Sequence, residues 1–183
     1  GGRDVACVLG VGPRLAWDGP FDLTRGQVRV LRPLRTPVDG AGDRHAVLVA
    51  QAVGALGIDP EEITHLVIAS CTGFVAPGLD QILVRQLGMR SDVERTVVGF
   101  MGCYAAVNAL RLAHHFVRSD GAARVLVINL ELCMLHLQET QELERLLAMM
   151  LFGDGCSAAL VTADETGLEL TDFRAATLPR SDE

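Results

Sequence analysis

The sequence contains no lysine: all sixteen of its basic residues are arginine. That absence removes the phosphate-gripping lysine of a P-loop and every mechanism that runs through a lysine Schiff base. A long hydrophobic run is also missing. The longest unbroken apolar stretch, Leu146 to Phe152, has seven residues, against the roughly 20 needed to span a bilayer, so no membrane span is expected. The opening residues Gly1-Gly2-Arg3-Asp4 do not read as a secretory leader. No CxxC pair occurs among the five cysteines, Cys7, Cys71, Cys103, Cys133 and Cys156. Their odd number and wide spacing support neither a zinc site nor a disulfide framework. A reducing, cytoplasmic compartment and no metal are therefore expected. Positive charge is in short supply as well. The formal net charge of -7 argues against a nucleic-acid surface or an anionic membrane as the main partner, which leaves small molecules and proteins.

What is present is a chain of 183 residues, 49% hydrophobic and 21% charged, the size of one domain or of one half of a larger repeat. Composition divides it. Residues 1–43 hold eight of the nineteen glycines and four of the seven prolines, which predicts a loop-rich amino-terminal segment with one strand, Val5 to Val11. Arg25, Arg29, Arg32 and Arg35 follow on a stretch that Pro33 and Pro37 keep from becoming a long helix. A solvated loop and an anion-binding surface both fit that arginine run.

Residues 44–183 are regular and read as a second unit. Apolar spacing predicts helices over His45 to Leu56 (capped by Gly57), Leu79 to Leu87, Tyr104 to Val117 and Gln138 to Met150. Short apolar runs predict strands at His65 to Ala69, Thr96 to Val98, Arg124 to Leu130, Ser157 to Thr162 and Leu168 to Phe173. The last two flank Asp164 to Gly167 and read as an antiparallel hairpin. Repeated strand-helix units imply an α/β fold with a mixed, mostly parallel sheet covered by helices on both faces.

The sharpest chemical signal is Gly99-Phe100-Met101-Gly102-Cys103-Tyr104-Ala105-Ala106, where a buried strand turns through glycines and delivers a cysteine to the start of a helix. Unpaired amides and the positive end of the helix dipole favour a thiolate there. Small Gly102, Ala105 and Ala106 would let a carbonyl approach the sulfur and nearby backbone donors. Cysteine is also one of the most buried residue types, so the local pattern leaves nucleophile and core filler both open. Among the histidines, His114 lies eleven residues along the same helix, about 16 Å away at about 1.5 Å per residue, too far to touch Cys103. His114 and His115 read as helix-surface residues, and His45 and His65 as structural ones. His136 follows a strand end, where α/β proteins place ligand-facing groups, although loop packing is the safer local reading. Phe152, beside the Gly153-Asp154-Gly155 turn, reads locally as a core aromatic.

Four segments, SCTGFVAPGLD from Ser70, GFMGCYAAVNALR from Gly99, VLVINLELCMLHLQ from Val125 and LFGDGCSAALV from Leu151, together resemble the type III polyketide synthases. These are the chalcone and stilbene synthase-like enzymes of the thiolase superfamily. The resemblance covers residues 44–183 and implies the amino-terminal half of a thiolase-like fold. It implies that Cys103 takes a starter acyl group from coenzyme A and holds the growing chain as a thioester, extended by decarboxylative condensation with malonyl-CoA. Phe152 matches the gatekeeper phenylalanine of the family. Cys71, Thr72, Glu131, Cys133 and His136 match positions that line its cavity. Ala76 matches the residue inserted into a partner subunit's cavity, which implies a homodimer. Coenzyme A thioesters would be substrates, with no separate cofactor. The histidine and asparagine that assist the family's cysteine belong to a second thiolase half and match nothing in this sequence. A truncated chain that cannot condense by itself is thus expected. Ketoacyl carrier protein synthase III, hydroxymethylglutaryl-CoA synthase and a non-catalytic thiolase-like scaffold are the competing readings.

Overall fold

A computed structural model describes residues 6–11, 29–30, 49–50, 52–165 and 167–177. The predicted His45 and the arginines at 25, 32 and 35 lie outside the described residues, as does the side chain of Arg29. Seven strands form one sheet: β1 (Ala6–Val11), β2 (Arg29–Val30), β3 (His65–Ser70), β4 (Glu94–Gly99), β5 (Val125–Glu131), β6 (Gly155–Thr162) and β7 (Leu168–Glu169). Their order is β2-β1-β6-β5-β3-β4, with β7 also paired to β1. β3 runs parallel to both β4 and β5, while β6 lies antiparallel between β5 and β1. Strands β1 to β5 therefore all point one way, and the sheet is mixed but mostly parallel.

The expected hairpin of the last two strands does not form. β7 bonds to β1, through Cys7↔Leu168 and Ala6↔Glu169, and the same β1 residues face Val161 and Thr162 of β6 on the other side. The intervening turn carries the chain across β1 instead of folding it back on β6. Only Leu168–Glu169 of the predicted 168–173 run pairs.

Alternation along each strand sends side chains to two cores. One face gathers Leu66 and Ile68 of β3 with Leu126, Ile128 and Leu130 of β5. Against it pack the helical residues Val49, Ala52 and Val53 and helix α1 (Leu79–Leu87), through Leu79 and Leu83. Gly57 and Gly88 end those two helical segments at φ +63° and +69°, a backbone region that glycine enters without steric cost. The opposite face gathers Val67, Val125, Val127, Ala159 and Val161 under helix α2 (Ala105–Ser119). Ala105, Ala109, Ala113 and Val117 recur every four residues, so a stripe of small side chains seats α2 closely on the sheet.

Helix α3 (Leu143–Leu151) is shorter than the predicted 138–150. Gln138 to Glu142 offer no apolar face, and the Thr140 hydroxyl accepts the Glu142 amide at 3.2 Å, a local bond that competes with helix. None of the residues of α3 is buried, and Leu143, Met150 and Leu151 are among the most exposed apolar side chains described. No described helix is long and apolar enough to cross a membrane.

Candidate functional site

Parallel register brings separate motifs to one edge of the sheet. Ser70 at the end of β3 pairs with Gly99 at the end of β4, and Glu131 at the end of β5 pairs with Gly155 at the start of antiparallel β6. The loops after β3, β4 and β5 and the loop before β6 thus meet at the carboxyl edge, the usual ligand position of open α/β sheets. A cavity of about 360 Å3 lies there, within the roughly 300–1,000 Å3 usual for small-molecule sites. Cys71, Thr72, Gly102, Cys103, Glu131, Cys133, His136 and Phe152 all line it. Of the site residues expected from the resemblance, Ala76 lies apart, exposed on the loop between β3 and α1.

Cys103 sits in a single 3-10 turn, Gly102–Tyr104, that leads into α2. Gly102 makes that turn at φ +61°, where a side chain would be strained. The Cys103 thiol is free and the residue exposed, so it is not core filler. Cys156, by contrast, is buried, and burial pushes its thiol up to about 12. Cys133 is half-buried, and its thiol is raised by burial and then by the nearby carboxylates Glu131 and Asp154. Phe152, expected locally to be a core aromatic, is 58% exposed and caps the end of α3 at the cavity.

The polar wall is one hydrogen-bonded unit. Glu131 accepts the Cys71 amide at 3.0 Å and the Thr72 hydroxyl at 2.5 Å. The same hydroxyl accepts the Leu132 amide at 2.7 Å. The His136 ring nitrogen Nε2 lies 3.2 Å from the Thr72 carbonyl and donates to it in the tautomer protonated there. The Met134 amide donates to Asp154 at 2.8 Å, so the 3-10 turn Cys133–His136 is fastened to the turn before β6. The Cys71 thiol lies 3.7 Å from the Gly102 carbonyl, one residue before Cys103.

The facing wall is apolar and includes three residues that sequence reasoning missed: Leu137, Ala148 and Met149. Leu137 adjoins His136 in the third motif, but Ala148 and Met149 belong to α3, whose placement no local pattern reveals. Among the described residues no group of three histidine, cysteine or carboxylate side chains could hold a metal ion. His65 is structural, as expected: it stacks on Phe116 at 4.8 Å and bonds Thr64 at 2.8 Å. His114, expected on the helix surface, is buried, whereas His115 is exposed. The physical reason is that residues 171–175 lie over the α2 face that His114 occupies.

Residues 44–165 match the family described as chalcone and stilbene synthases, N-terminal domain. The alpha-pyrone synthesis polyketide synthase-like Pks18 of Mycobacterium tuberculosis is 40% identical over 126 residues, 66% of this chain and 32% of that protein. Bisdemethoxycurcumin synthase of Oryza sativa subsp. japonica is 37% identical over 133 residues, 72% of this chain and 33% of the relative. Among solved structures, 1,3,6,8-tetrahydroxynaphthalene synthase from Streptomyces coelicolor A3(2) aligns with a TM-score of 0.68 at 28% identity. That alignment covers 78% of this chain and 41% of the other. The match to these curated relatives spans about a third of their length.

Proposed function

From the premise that this chain belongs to the chalcone and stilbene synthase family, matching its amino-terminal domain, we propose that Cys103 is the acyl-carrying nucleophile of a type III polyketide synthase. The observation that carries this reading is an exposed, free thiol at a helix start, opening on a cavity of about 360 Å3 built from four separate loops. In the loading step the Cys103 sulfur attacks the carbonyl of an acyl-CoA, the carbon–sulfur bond to coenzyme A breaks, and the departing thiolate takes up the proton that Cys103 gave up. In extension, malonyl-CoA loses carbon dioxide. The resulting carbanion attacks the Cys103 thioester, giving a ketoacyl-CoA lengthened by two carbons and returning the sulfur as thiolate.

Phe152, Leu137, Ala148 and Met149 supply the apolar wall that keeps water from these intermediates, with Phe152 beside the reacting carbon. Thr72, Glu131 and His136 form the polar wall that orients the acyl chain, and Gly102 leaves room next to the sulfur. Cys71 and Cys133 complete the lining. The family's histidine and asparagine partners lie in its second half, so the 183 residues by themselves load an acyl group without condensing it. Ala76 reaches a second copy in a homodimer, and the exposed apolar side chains of α3 are covered in the assembled enzyme. A reducing, cytoplasmic setting suits its four described free thiols.

The test is the intact mass of the chain after incubation with a panel of acyl-CoA thioesters, followed by peptide mapping. Acylation confined to Cys103 and absent from Cys103→Ala is expected. No adduct with any thioester, or adducts spread evenly over the cysteines, would refute the assignment of Cys103. Acyl carrier protein thioesters as the better donors would favour the ketoacyl carrier protein synthase reading instead. Malonyl-CoA turnover well above that of the Cys103→Ala variant would refute the claim that these residues alone do not condense.

A further inference from the structure

A second cavity, of about 420 Å3, lies on the outer side of α2. Its floor is the helix face of Arg111, His114, His115 and Arg118, spaced as neighbours along one stripe. Its roof is the segment after β7, which contributes Thr171, Asp172 and Phe173. The Phe173 ring lies 5.6 Å from the Arg111 guanidinium carbon and 5.4 Å from the His114 ring, so it fixes both side chains at the cavity wall.

Two observations point to an absent ligand of negative charge. First, His114 is 8% exposed, and its buried Nδ1 has no hydrogen-bond partner among the described residues. With Nδ1 closed off inside the fold, Nε2 is the ring nitrogen a ligand can reach, and a negatively charged acceptor there would supply the partner the ring lacks. Second, among the described residues neither Arg111 nor Arg118 forms an ion pair, while Asp172, the one carboxylate lining the cavity, is bonded to Arg174 at 2.9 Å. The positive charge of the floor is thus left without a local counterpart.

We propose that this cavity binds a phosphate dianion, free or as a phosphomonoester, held by the forks of Arg111 and Arg118 with His114 Nε2–H as a third donor. Guanidinium forks match phosphate oxygens two at a time, and a dianion brings them twice the charge of a carboxylate or chloride. The site stands apart from Cys103, since the helix rises about 16 Å over the eleven residues between that cysteine and His114.

Proton linkage gives the site a second signature. Burial, then the charges of His115 and Arg118, hold the His114 ring below its ordinary proton affinity. The groups facing it are Arg111, His115 and Arg118 on α2, and Asp172 with its partner Arg174 on the crossing segment. An anion among them favours the imidazolium, so binding takes up a proton and tightens as pH falls from about 7.5 to about 6. Sulfate, which does not titrate there, is the probe for this arm.

The test titrates the 183-residue chain with inorganic phosphate and, separately, with glycerol 3-phosphate, following the His114 ring resonances by NMR and the heat by calorimetry. Saturable binding is expected. It should weaken at least about tenfold in the Arg111→Gln/Arg118→Gln variant, which removes the two forks, and stay unchanged in Arg85→Gln, a control on exposed α1, and in Cys103→Ala. Tighter binding of glycerol 3-phosphate would assign the site to a phosphorylated metabolite. Equal or tighter binding of inorganic phosphate would assign it to the free ion. The proposal is overturned if neither anion saturates, if Arg85→Gln weakens binding as much as the double variant, or if the His114 resonances do not move. Failure of Cys103 to acylate would leave this result untouched, because the two cavities share no residue.

Discussion

Replacing Glu131 should loosen the polar wall of the thiol cavity by an amount that its hydrogen bonds allow one to work out. The carboxylate accepts the Cys71 amide at 3.0 Å and the Thr72 hydroxyl at 2.5 Å, joining the loop after β3 to the end of β5. Bonds to a charged group contribute about 1.5–3 kcal/mol each, and the lower end applies because the pair is only part-buried. Glu131→Ala strands both donors, but the open cavity lets water reach them, so a loss of about 2–3 kcal/mol is expected. Glu131→Gln keeps an acceptor for the Cys71 amide and turns its NH2 toward the Thr72 oxygen, whose own proton then goes to water, so about 1 kcal/mol is lost. For a chain of this size those losses lower the melting temperature by about 4–12 °C and about 2–4 °C. Thr72→Val removes the same link from the other side and strands the Leu132 amide. The double variant should therefore show a coupling energy of about 1–2 kcal/mol. Urea unfolding followed by far-UV circular dichroism measures all four corners of the cycle. An Ala variant within about 0.5 kcal/mol of the parent, or Glu131 and Thr72 effects that simply add, would show that the carboxylate does not clamp the loops.

Two further expectations concern single groups. At pH 9 the buried Cys156 thiol, pushed up to about 12, is ionised to about one part in a thousand. Iodoacetamide should therefore label exposed Cys103 at least about a hundredfold faster, with Cys133 slowed by its burial and by Glu131 and Asp154. Native-state labelling of Cys156 at a rate near that of Cys103 would contradict the burial of β6. The lowered proton affinity of His114 means that the unfolded chain binds the proton more readily than the folded one. Its contribution to stability is thus present above about 6.5 and is lost as pH falls below that value toward the depressed native one. A His114→Gln variant should flatten that part of the stability profile measured by urea unfolding, and an unchanged slope would refute the assignment.

Much of the fold was legible because its signals are local. Helix α1 at Leu79–Leu87 follows directly from apolar spacing closed by Gly88, and the buried strands β3 and β5 stand out as unbroken apolar runs. Eight of the cavity residues were named by the resemblance of four motifs to a known family, and the sheet order explains why those motifs meet. Apart from the late start of α3, the failures depended on pairing across long separations. Nothing in Leu168–Glu169 says that β1, and not neighbouring β6, is its partner. Nothing in α2 says that Phe173 will cover His114. Ala148 and Met149 were illegible because α3 buries none of its residues in the described sheet, so its apolar spacing gave no direction in space.

The pairing of β1 with β6 also sets a clock for synthesis. Ala6 bonds opposite Thr162, so β1 cannot take its place beside β6 until the residues between them have left the ribosome. At about 5–20 residues per second, that is roughly 10–30 s of waiting. During this interval β3, β4 and β5 can associate in order, each with its neighbour already emerged, while β5 keeps one edge open for β6. An unpaired apolar edge of that kind recruits strands from other nascent chains as readily as its own. Yield in cells should accordingly depend on translation rate and on chaperones that shield the growing sheet, more than on the final stability of the finished molecule.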